Sequence, residues 1–450
     1  MLPNIADVPV NDYKESTMNR RVTRRQFLAT ACMTAVAPTI IRGSALGKNG
    51  SVAPSNRIVL GGIGIGARGQ VVLGAMLNER DAHFVAVCDV KADARRQAKL
   101  MVDGKYGNKD CAAYRDMFEV LDRKDIDAVL IATGDRWHGL ASILAAKAGK
   151  DVYSEKPVGV TMNECIEVDE AVRRYARVFT VGTQRRSIQN FRVAIAVARN
   201  GKLGRLRTLH ASVYYPQSDI TAAPAEPEPD PDTLDWDRWL GPAPWRPFNW
   251  RYVRGRGWQG FDDFTAAYVL MDWGAHTVDL CQAAAGADGT TPVEYVPSED
   301  NIVLRYADGL EVVMDFLHTP FGKLEPHYRT QMGTCPVRFE GDEGWVETGD
   351  NGDIIAHPES LAREVVNLRR SAAGTDPGSH VRNFFDCVKS RGLTNADGRV
   401  MRSSHVACHA AAIAWRLGRT LRFDPDKERF IGAEEANRMC TRAKRAPWYA

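Results

Sequence analysis

Three glycines in a fixed spacing restrict the fold of this chain more than any other feature. Gly64, Gly66 and Gly69 follow an apolar run, and Asp89 closes a second apolar run twenty residues after the last glycine. The first glycine permits a tight turn, the second lets the backbone approach a pyrophosphate, and the third lets a helix pack closely on a strand. This order of strand, turn, helix, strand and acid predicts a dinucleotide-binding unit with the phosphates at the helix N-terminus.

The acidic residue indicates which dinucleotide is bound. Asp89 can accept hydrogen bonds from the ribose hydroxyls, which favours NAD over NADP. Lys91 and Arg95 follow it, and either could meet a 2′-phosphate, so NADP stays open as an alternative. Ala67 and Arg68, between the second and third glycines, are the further cofactor contacts that this turn predicts.

Composition and cysteine usage narrow the class of protein. The 450 residues are 44% hydrophobic and 26% charged, with a net charge of +3, as in a soluble globular protein. The basic residues are spread along the chain, which argues against a nucleic-acid partner. Nine cysteines without any Cys-x-x-Cys pair are expected to be buried free thiols. His405 and His409 lack the glutamate of a metalloprotease motif, so we expect them to pack in the core and predict no metal site.

The N-terminal segment has the residues of a twin-arginine export signal. Residues 23–28 read Thr-Arg-Arg-Gln-Phe-Leu, an apolar run follows, and small residues after it offer a cleavage site. We therefore predict a leader over residues 1–47, with Met1 or Met18 as the start. The apolar run is short and is interrupted by Pro38, which argues against a transmembrane helix.

Export by this route has a consequence for the cofactor. The twin-arginine machinery, which is a predicted partner, moves proteins that are already folded, so a nucleotide must be bound before export. No comparable nucleotide pool exists outside the cytoplasm. We therefore expect a periplasmic or otherwise extracytoplasmic protein that holds its cofactor tightly.

The pattern of apolar runs divides the rest of the chain into two parts. From residue 57 to 182, apolar strands alternate with helical patterns, which predicts a Rossmann domain with a doubly wound parallel sheet of the α/β class. From 183 to 450, strands separated by turn signals predict an α+β domain with a large, open, mostly antiparallel sheet. Its C-terminal helices either stay with that sheet or pack back on the first domain. Five tryptophans between residues 234 and 258 are expected to pack in the core or at an interface, with stacking on sugar rings as the alternative.

Two further motifs behind the glycine turn carry a family resemblance. Residues 154–157 read Ser-Glu-Lys-Pro, and residues 272–279 read Asp-Trp-Gly-Ala-His-Thr-Val-Asp. Together with the turn they resemble the Gfo/Idh/MocA oxidoreductases, named for glucose–fructose oxidoreductase and inositol dehydrogenase. Residues 234–244 and 445–448 resemble an exported bacterial branch of that family. The resemblance implies a carbohydrate substrate and a homo-oligomer, a dimer or tetramer, formed through the antiparallel sheet.

The residue types in these motifs suit the oxidation of an alcohol, which needs a base for the hydroxyl proton and a donor to hold the oxygen. Lys156 lies at the carboxyl end of a parallel strand, where open sheets bind ligands, and the resemblance implies that its ammonium holds the reacting oxygen. Asp272 and His276 are spaced i, i+4, so on a helix both face one way. We expect His276 to be the general base, with Asp272 either orienting it and raising its basicity or binding the substrate. Asp279 either binds a sugar hydroxyl or stabilises the helix.

Other candidate positions follow from the resemblance, with departures from the family pattern. Where the family usually has Thr-Pro-Asp-His-x-His, residues 133–138 read Thr-Gly-Asp-Arg-Trp-His, so Gly134 and Arg136 differ. Tyr268 lies just before Asp272, where relatives commonly carry a Gly-Gly pair, and it either reaches the substrate or fills the core. The remaining predicted contacts are Thr133, Trp137, His138, Glu155, Lys156 and Gln184 for the cofactor, and Arg185 for the substrate.

Three functions are compatible with these residues. The first is an NAD(P)-dependent oxidoreductase that acts on a hydroxyl of a sugar, polyol or glycoside. The second is a glycosidase with tightly held NAD, which oxidises a ring hydroxyl, eliminates the aglycone, adds water and reduces the ketone again; it needs a second base, from Tyr268 or His138. The third is a non-catalytic sugar-binding protein that contains NAD, and the intact Lys156, Asp272 and His276 argue against it.

Overall fold

The first sheet is parallel throughout, in a computed structural model that describes residues 52–216, 221–317, 332–366 and 376–448. The predicted leader lies outside these residues. Residues 56–450 form one unit. The strand order is β3-β2-β1-β4-β5-β6, so the direction of winding reverses between β1 and β4, the place where such sheets bind ligands. The strands are β1 (Ile58–Ile63), β2 (Ala82–Cys88), β3 (Ala112–Tyr114), β4 (Ala128–Ile131), β5 (Asp151–Ser154) and β6 (Phe179–Val181).

Helices cover both faces of this sheet, as the apolar strands require. The predicted Rossmann architecture is therefore confirmed. The helices that connect the strands are α1 (Ala67–Leu77), α2 (Ala92–Tyr106), α3 (Met117–Leu121), α4 (Asp135–Lys147) and α5 (Met162–Arg174).

The glycine turn between β1 and α1 has the geometry that its spacing predicts. Gly64 has a φ of +72°, and a Cβ there would lie 2.3 Å from Cγ2 of Thr133. A Cβ on Gly69 would lie 3.0 Å from that of Ala132, so this glycine lets the helix approach β4. Around Gly66 a Cβ would meet no atom within 4 Å, which leaves open space at the N-terminus of α1. The turn therefore fits the pyrophosphate of a dinucleotide.

The second sheet has nine strands in the order β13-β12-β11-β7-β10-β9-β8-β14-β15. Among the described strands of this second sheet, only the β7–β10 pair is parallel, so the predicted mostly antiparallel sheet is confirmed. Its strands are β7 (Leu206–Tyr214), β8 (Glu294–Pro297), β9 (Asn301–Arg305), β10 (Glu311–Leu317), β11 (Val337–Gly341), β12 (Gly344–Thr348), β13 (Ile354–His357), β14 (Leu421–Asp424) and β15 (Arg429–Phe430).

Helices pack on one face of the second sheet and bury its core. Leu209, Ala211 and Val213 alternate along β7 and lie in one hydrophobic cluster with Phe191 and Val278 from two of these helices. The helices of this part are α6 (Gln189–Arg199), α9 (Met271–Ala285), α10 (Glu359–Val366), α11 (Gly378–Ser390), α12 (Gly398–Leu417) and α13 (Glu434–Arg438).

The C-terminal helices join the two sheets. Val381, Phe384 and Phe385 of α11 are buried in the core that surrounds β1 and α1. Met401, near the start of α12, lies in a second cluster of the first domain, whereas Val406 and later residues of α12 pack in the core of the second sheet. Helices distant in sequence therefore complete the Rossmann domain.

An aromatic segment, residues 233–264, lies against the first sheet, and we call it the strap. It has its own core, in which the Trp236 ring stacks on the Trp239 ring at 4.8 Å. Backbone hydrogen bonds join it to the end of β2, from Ala92 N to Thr233 O at 3.0 Å and from Asp235 N to Val90 O at 3.2 Å. Two short helices lie within the strap, α7 (Trp236–Leu240) and α8 (Trp250–Val253).

The described cysteines are buried and unpaired. All eight of them carry free thiols, as the absence of Cys-x-x-Cys spacing predicts. None of the described helices is both long and apolar enough to cross a lipid bilayer.

Candidate active site

A cavity of about 700 Å³ lies at the carboxyl ends of the parallel strands, under the strap. Its walls come from the glycine turn, the loops after β2, β4 and β5, the first turns of α9, and the strap itself. The cavity brings together most of the predicted site residues, namely Gly64, Gly66, Ala67, Arg68, Asp89, Thr133, Trp137, His138, Glu155, Lys156, Gln184, Arg185, Asp272 and His276.

Lys156 and Asp272 form an ion pair inside this cavity. The ammonium of Lys156 donates to both Oδ1 and the backbone oxygen of Asp272, each at 2.7 Å. Arg256, from the strap, donates to Oδ2 at 2.7 Å. Burial of the Asp272 carboxyl raises its pKa, but the charges of Lys156 and Arg256 outweigh burial, and the net pKa is lowered. Asp272 is therefore an anion held between two cations.

His276 lies one helical turn beyond Asp272 and lines the same cavity. It is 4% exposed, and its Nδ1 has no hydrogen-bond partner among the described residues. Burial and the charges of Arg185 and Lys156 hold its pKa well below the usual 6.5. The imidazole is therefore neutral at physiological pH and can accept a proton.

Among the described residues no hydrogen bond joins Asp272 to His276, so the geometry does not support the predicted role in which Asp272 orients His276. Both side chains do line one cavity, as the i, i+4 spacing predicts. The carboxylate, however, turns to the two cations, because a buried anion is more stable beside opposite charge than beside a neutral ring. The expectation that Asp272 raises the basicity of His276 fails for the same reason, since the pKa of His276 is lowered.

The loop that carries Lys156 is held at successive backbone atoms. His138 Nδ1 donates to the oxygen of Pro157 at 2.7 Å, and Cys165 Sγ donates to the oxygen of Val158 at 2.9 Å. His409 Nε2, from α12, donates to the oxygen of Gly159 at 3.2 Å. These bonds fix where the lysine leaves the backbone. They also give His409 a structural role, which agrees with the expectation that it packs in the core.

The other end of the cavity carries the residues predicted for the cofactor. Arg68 Nε donates to Glu155 Oε1 at 2.9 Å, beside the glycine turn. Asp89 accepts from the backbone N of Lys91 at 2.9 Å, and burial raises its pKa to about 6. Arg95 donates to the backbone oxygen of Asp89 at 2.7 Å and does not line the cavity. Of the two cations considered for a 2′-phosphate, only Lys91 lies on the wall.

Arg185 is buried at the wall of the cavity and held in one orientation. Its Nε and Nη2 donate to the two carboxylate oxygens of Asp350 at 2.8 and 2.5 Å. Such a two-point pair fixes the guanidinium plane. Arg185 therefore supplies a constant positive charge next to His276.

Tyr268 is not among the residues that line the cavity, and its contacts fit the alternative role in the core better than a substrate contact. Its ring centroid lies 6.1 Å from that of Trp415 on α12, and the guanidinium of Arg416 lies 5.8 Å from the ring. The reason is the backbone: Ala267, Tyr268 and Val269 have φ values of 48, 55 and 71°. This left-handed stretch, costly for residues other than glycine, directs the ring towards α12.

Asp279 is also outside the cavity wall, and its ion pair with Arg186 fits the alternative, structural role better than a contact with a sugar hydroxyl. Its side chain is fully buried and accepts from Arg186 Nε at 2.5 Å. Arg186 also donates to Asp288, at 3.0 Å from Nη1. The structural role fits because Asp279 lies about one helical turn beyond His276, where α9 is buried against its neighbours.

Several wall residues were absent from the sequence-based prediction. Arg256 lies in the irregular strap, and Asp350, which holds Arg185 without itself lining the cavity, lies after β12 in a region with no motif. Trp448 was within a motif quoted for the family resemblance, but its place at the wall depends on how the tail returns to the first domain. The missed wall residues include Arg136, Arg238, Trp239, Arg256, Trp258, Trp273 and Trp448.

No group of metal-binding side chains is present among the described residues. His405 is fully buried, and its Nδ1 lies 3.2 Å from Ser404 Oγ.

Solved structures share this fold. The WlbA dehydrogenase of Chromobacterium violaceum, solved with NADH and UDP-GlcNAcA, superposes with a TM-score of 0.60 at 18% identity, over 83% of this chain and 98% of that one. The aldose–aldose oxidoreductase of Caulobacter crescentus superposes with a TM-score of 0.56 at 18% identity, over 82% of this chain and all (100%) of that one. At such identities the likeness is one of fold.

Curated relatives match over part of their length. The myo-inositol 2-dehydrogenase of Thermotoga maritima is 28% identical over 157 residues, which are 35% of this chain and 45% of that protein. A glycosyl hydrolase family 109 protein of Stenotrophomonas maltophilia is 27% identical over 239 residues, 51% of this chain and 49% of that protein. The chain thus spans about half the length or less of these two relatives.

Family models match both parts of the chain. The NAD-binding Rossmann fold of the oxidoreductase family matches residues 58–183. The C-terminal alpha/beta domain of the same family matches residues 219–319 and 336–450. With the glycine turn, the Lys156 loop and the helix of His276 gathered around one cavity, the chain belongs to the Gfo/Idh/MocA oxidoreductase family.

Proposed function

We propose that this protein oxidises a hydroxyl group of a sugar, polyol or glycoside with a nicotinamide cofactor that it holds tightly. One observation carries the proposal: Lys156 and His276 line the same cavity as the glycine turn and Asp89. A proton donor to an oxygen, a neutral base and a dinucleotide turn are the parts that alcohol oxidation needs.

Each residue has a distinct task in this proposal. The ammonium of Lys156, held by Asp272, donates a hydrogen bond to the reacting hydroxyl oxygen and stabilises negative charge there. His276 is neutral, so it takes the hydroxyl proton as the carbon–hydrogen bond breaks. The dinucleotide, when bound, supplies the hydride acceptor. Arg185 and Asp350 fix the wall beside His276 and keep its pKa low.

The strap supports tight retention of the cofactor. Arg238 donates to Asp116 at 2.8 Å, and Trp137 Nε1 donates to the backbone oxygen of Arg238 at 2.8 Å. Arg445, near the C-terminus, donates to Asp237 Oδ1 at 2.6 Å. Together with the backbone bonds to the end of β2, these contacts hold the strap over the nucleotide end of the cavity. Release of a nucleotide would require several of them to break.

A redox-neutral glycosidase is the second candidate, and one observation favours it. His138 donates through Nδ1 to Pro157, so its Nε2 carries the lone pair, and that atom has no hydrogen-bond partner among the described residues. His138 lines the cavity and can serve as the second base that this cycle needs. The name of the Stenotrophomonas relative agrees with such a reaction.

One experiment separates the two reactions. The purified protein is mixed with a panel of free sugars and polyols, and with nitrophenyl glycosides, without added cofactor. Reduction of bound nicotinamide that stops after one turnover supports the oxidoreductase. Continuous release of nitrophenol supports the glycosidase. If the protein retains nucleotide but neither signal appears with any member of the panel, the proposed chemistry is wrong for these substrates.

We also propose that the folded protein is exported and that it forms a homo-oligomer. The Thr-Arg-Arg-Gln-Phe-Leu motif at residues 23–28 supports export of the folded, cofactor-loaded protein by the twin-arginine machinery. Replacing Arg24 and Arg25 with lysine should leave the protein in the cytoplasm, and unchanged export would contradict the proposal.

The family resemblance supports a dimer or tetramer through the nine-stranded sheet, and a monomer by light scattering would contradict it.

A further inference from the structure

We infer that Arg136 binds a phosphate group of the dinucleotide, as a cofactor contact particular to this chain. Its guanidinium donates from Nη1 to a phosphate oxygen. This inference rests on dinucleotide binding by the cavity. It adds a residue at a position where the family pattern has histidine.

Arg136 has a fixed position and an unused donor. It lines the cavity at the start of α4 and is 4% exposed. Its Nε donates to the backbone oxygen of Trp239 at 2.6 Å, and its guanidinium carbon lies 3.5 Å from the centre of the Trp239 ring. Nη1, in contrast, is buried without a hydrogen-bond partner among the described residues. The strap therefore orients this side chain but leaves Nη1 without a hydrogen-bond acceptor.

The charge of Arg136 is also left without a direct partner. Asp135 and Asp89 are near enough to favour its charged form, but burial is the largest effect and lowers its pKa to about 9. Among the described residues, neither carboxylate accepts a hydrogen bond from it. The group is still a cation at neutral pH, and a buried cation is unfavourable unless an anion pairs with it. A ligand anion in the cavity would supply that pair.

The position of Nη1 indicates which part of the ligand it meets. A Cβ on Gly134 would lie only 2.4 Å from Nη1, so the guanidinium edge lies beside this glycine. The preceding residue, Thr133, is in contact with Gly64 of the phosphate-binding turn. Arg136 therefore lies on the phosphate side of the cavity, near Asp89.

The same contact explains why two departures from the family pattern occur together. Proline is usual at position 134, and its ring would occupy the space that the guanidinium edge of Arg136 fills. Glycine at this position makes room for arginine at position 136. The two residues are therefore expected to act as a unit.

Charge around the cavity is consistent with an anionic ligand. Its walls carry eight basic and five acidic residues. The basic residues are Arg68, Lys91, Arg115, Arg136, Lys156, Arg185, Arg238 and Arg256, and the acidic residues are Asp89, Asp116, Asp135, Glu155 and Asp272. The phosphate that Arg136 binds has two sources, the pyrophosphate of either dinucleotide or the 2′-phosphate of NADP.

Calorimetric titration of the protein freed of nucleotide tests this inference. The probes are ADP-ribose, which contains the pyrophosphate, and adenosine 2′,5′-bisphosphate, which contains the 2′-phosphate. Arg136→Gln should weaken ADP-ribose binding ten- to hundredfold, as the loss of a charge-assisted hydrogen bond does. Arg136→Lys should lose less affinity for ADP-ribose than Arg136→Gln. If only the bisphosphate is weakened, the contact is to the 2′-phosphate.

A matched control and a second variant make the result decisive. Arg402 on α12 is partly buried, donates to Glu428 Oε1 at 2.9 Å and lies outside both the cavity wall and the strap, so Arg402→Gln should leave both affinities unchanged. Gly134→Ala should weaken the same probe as Arg136→Gln, and the double variant should be no weaker than either. Unchanged affinities in Arg136→Gln, or equal losses in the Arg402 control, would overturn the inference. A wild-type protein that binds neither probe would instead contradict dinucleotide binding itself, and the inference with it.

Discussion

The ammonium of Lys156 lies 2.7 Å from two oxygens of Asp272, one in the carboxylate and one in the backbone. Lys156 follows the fifth strand of the first sheet, whereas Asp272 begins the helix that packs on the second sheet. The ion pair therefore joins the nucleotide-binding part of the chain to the part that supplies the base. The pair also fixes the position of the Lys156 ammonium relative to α9.

The first prediction concerns the cation of this pair. Lys156→Met should slow the reduction of bound nicotinamide by about 10²- to 10⁴-fold, because the donor to the reacting oxygen is lost. Nucleotide content should stay close to that of the wild type, since the glycine turn is untouched. Single-turnover absorbance of the nicotinamide and acid-released nucleotide, measured on the same preparation, check both parts. Full activity in the variant would remove Lys156 from the mechanism.

The second prediction concerns the base. The pKa of His276 is held well below 6.5, so His276 stays neutral until the pH falls below that value. The rate of reduction of bound nicotinamide at low substrate concentration should therefore fall in acid with its midpoint below pH 6.5, and His276→Asn should abolish this reduction with nucleotide still bound. A pH–rate profile of the wild type and single-turnover assays of the variant test this. A midpoint above pH 6.5, or turnover in the variant, is incompatible with the assigned role.

The residues of the site differ in how far the sequence could predict them. The glycine turn, Lys156 and His276 were predictable because short motifs fix both their local geometry and their place at strand ends or on one helix face. Asp272 was predicted as a site residue, but its pairing with Arg256 was not, because Arg256 comes from an irregular segment with no motif. Tyr268 was ambiguous because its direction depends on a left-handed backbone that no residue type at that point signals.

The fold shows the same division. The two sheets were predictable from apolar runs that alternate with helical patterns or turn signals, since the period of the apolar residues alone sets which face is buried. The return of the helix Gly378–Ser390 to the first core was left open, because an apolar helix face does not specify which sheet it will cover. The contact of the strap with the nucleotide-binding loops also depends on long-range hydrogen bonds that local patterns do not encode.

The third prediction concerns the loop that carries Lys156. His409→Leu removes the donor to the Gly159 oxygen and should slow nicotinamide reduction at saturating substrate about tenfold, with little change in the substrate concentration that gives half the maximal rate, because the lysine is displaced rather than lost. His409→Asn keeps a donor and should recover part of the activity. A purely structural role would instead lower thermal stability in both variants without this difference in the reduction rate.

The fourth prediction concerns the strap. Arg445→Gln removes the bonds to Asp237 without touching the cavity, so bound nucleotide should be released about two- to tenfold faster. Dilution into excess competing nucleotide, followed by mass spectrometry of what stays bound, measures the rate. Arg429→Gln serves as the control, since this exposed arginine pairs with Glu434 and not with the strap. Equal release rates in both variants would show that the strap does not retain the cofactor.

The fifth prediction concerns the pH dependence of stability. Burial lowers the pKa of His405 from 6.5 to about 3, so its neutral form contributes stability above pH 6.5 that is lost as the pH falls towards 3. Relative to His405→Gln, the wild type should lose about 1.4 kcal/mol of unfolding free energy per pH unit between these values. Denaturant unfolding at pH 7.5 and pH 5 measures the difference. A difference between the two proteins that does not change with pH would show that His405 takes up no extra proton on unfolding.

The most direct measurement is a crystal structure of the full chain with reduced cofactor and a sugar identified in the substrate panel. We expect Lys156 Nζ and a ring nitrogen of His276 each within about 3 Å of one sugar hydroxyl, with the nicotinamide next to the carbon that bears it. A sugar bound elsewhere, or a nicotinamide ring that does not lie between these two side chains and the substrate carbon, would contradict the proposed chemistry.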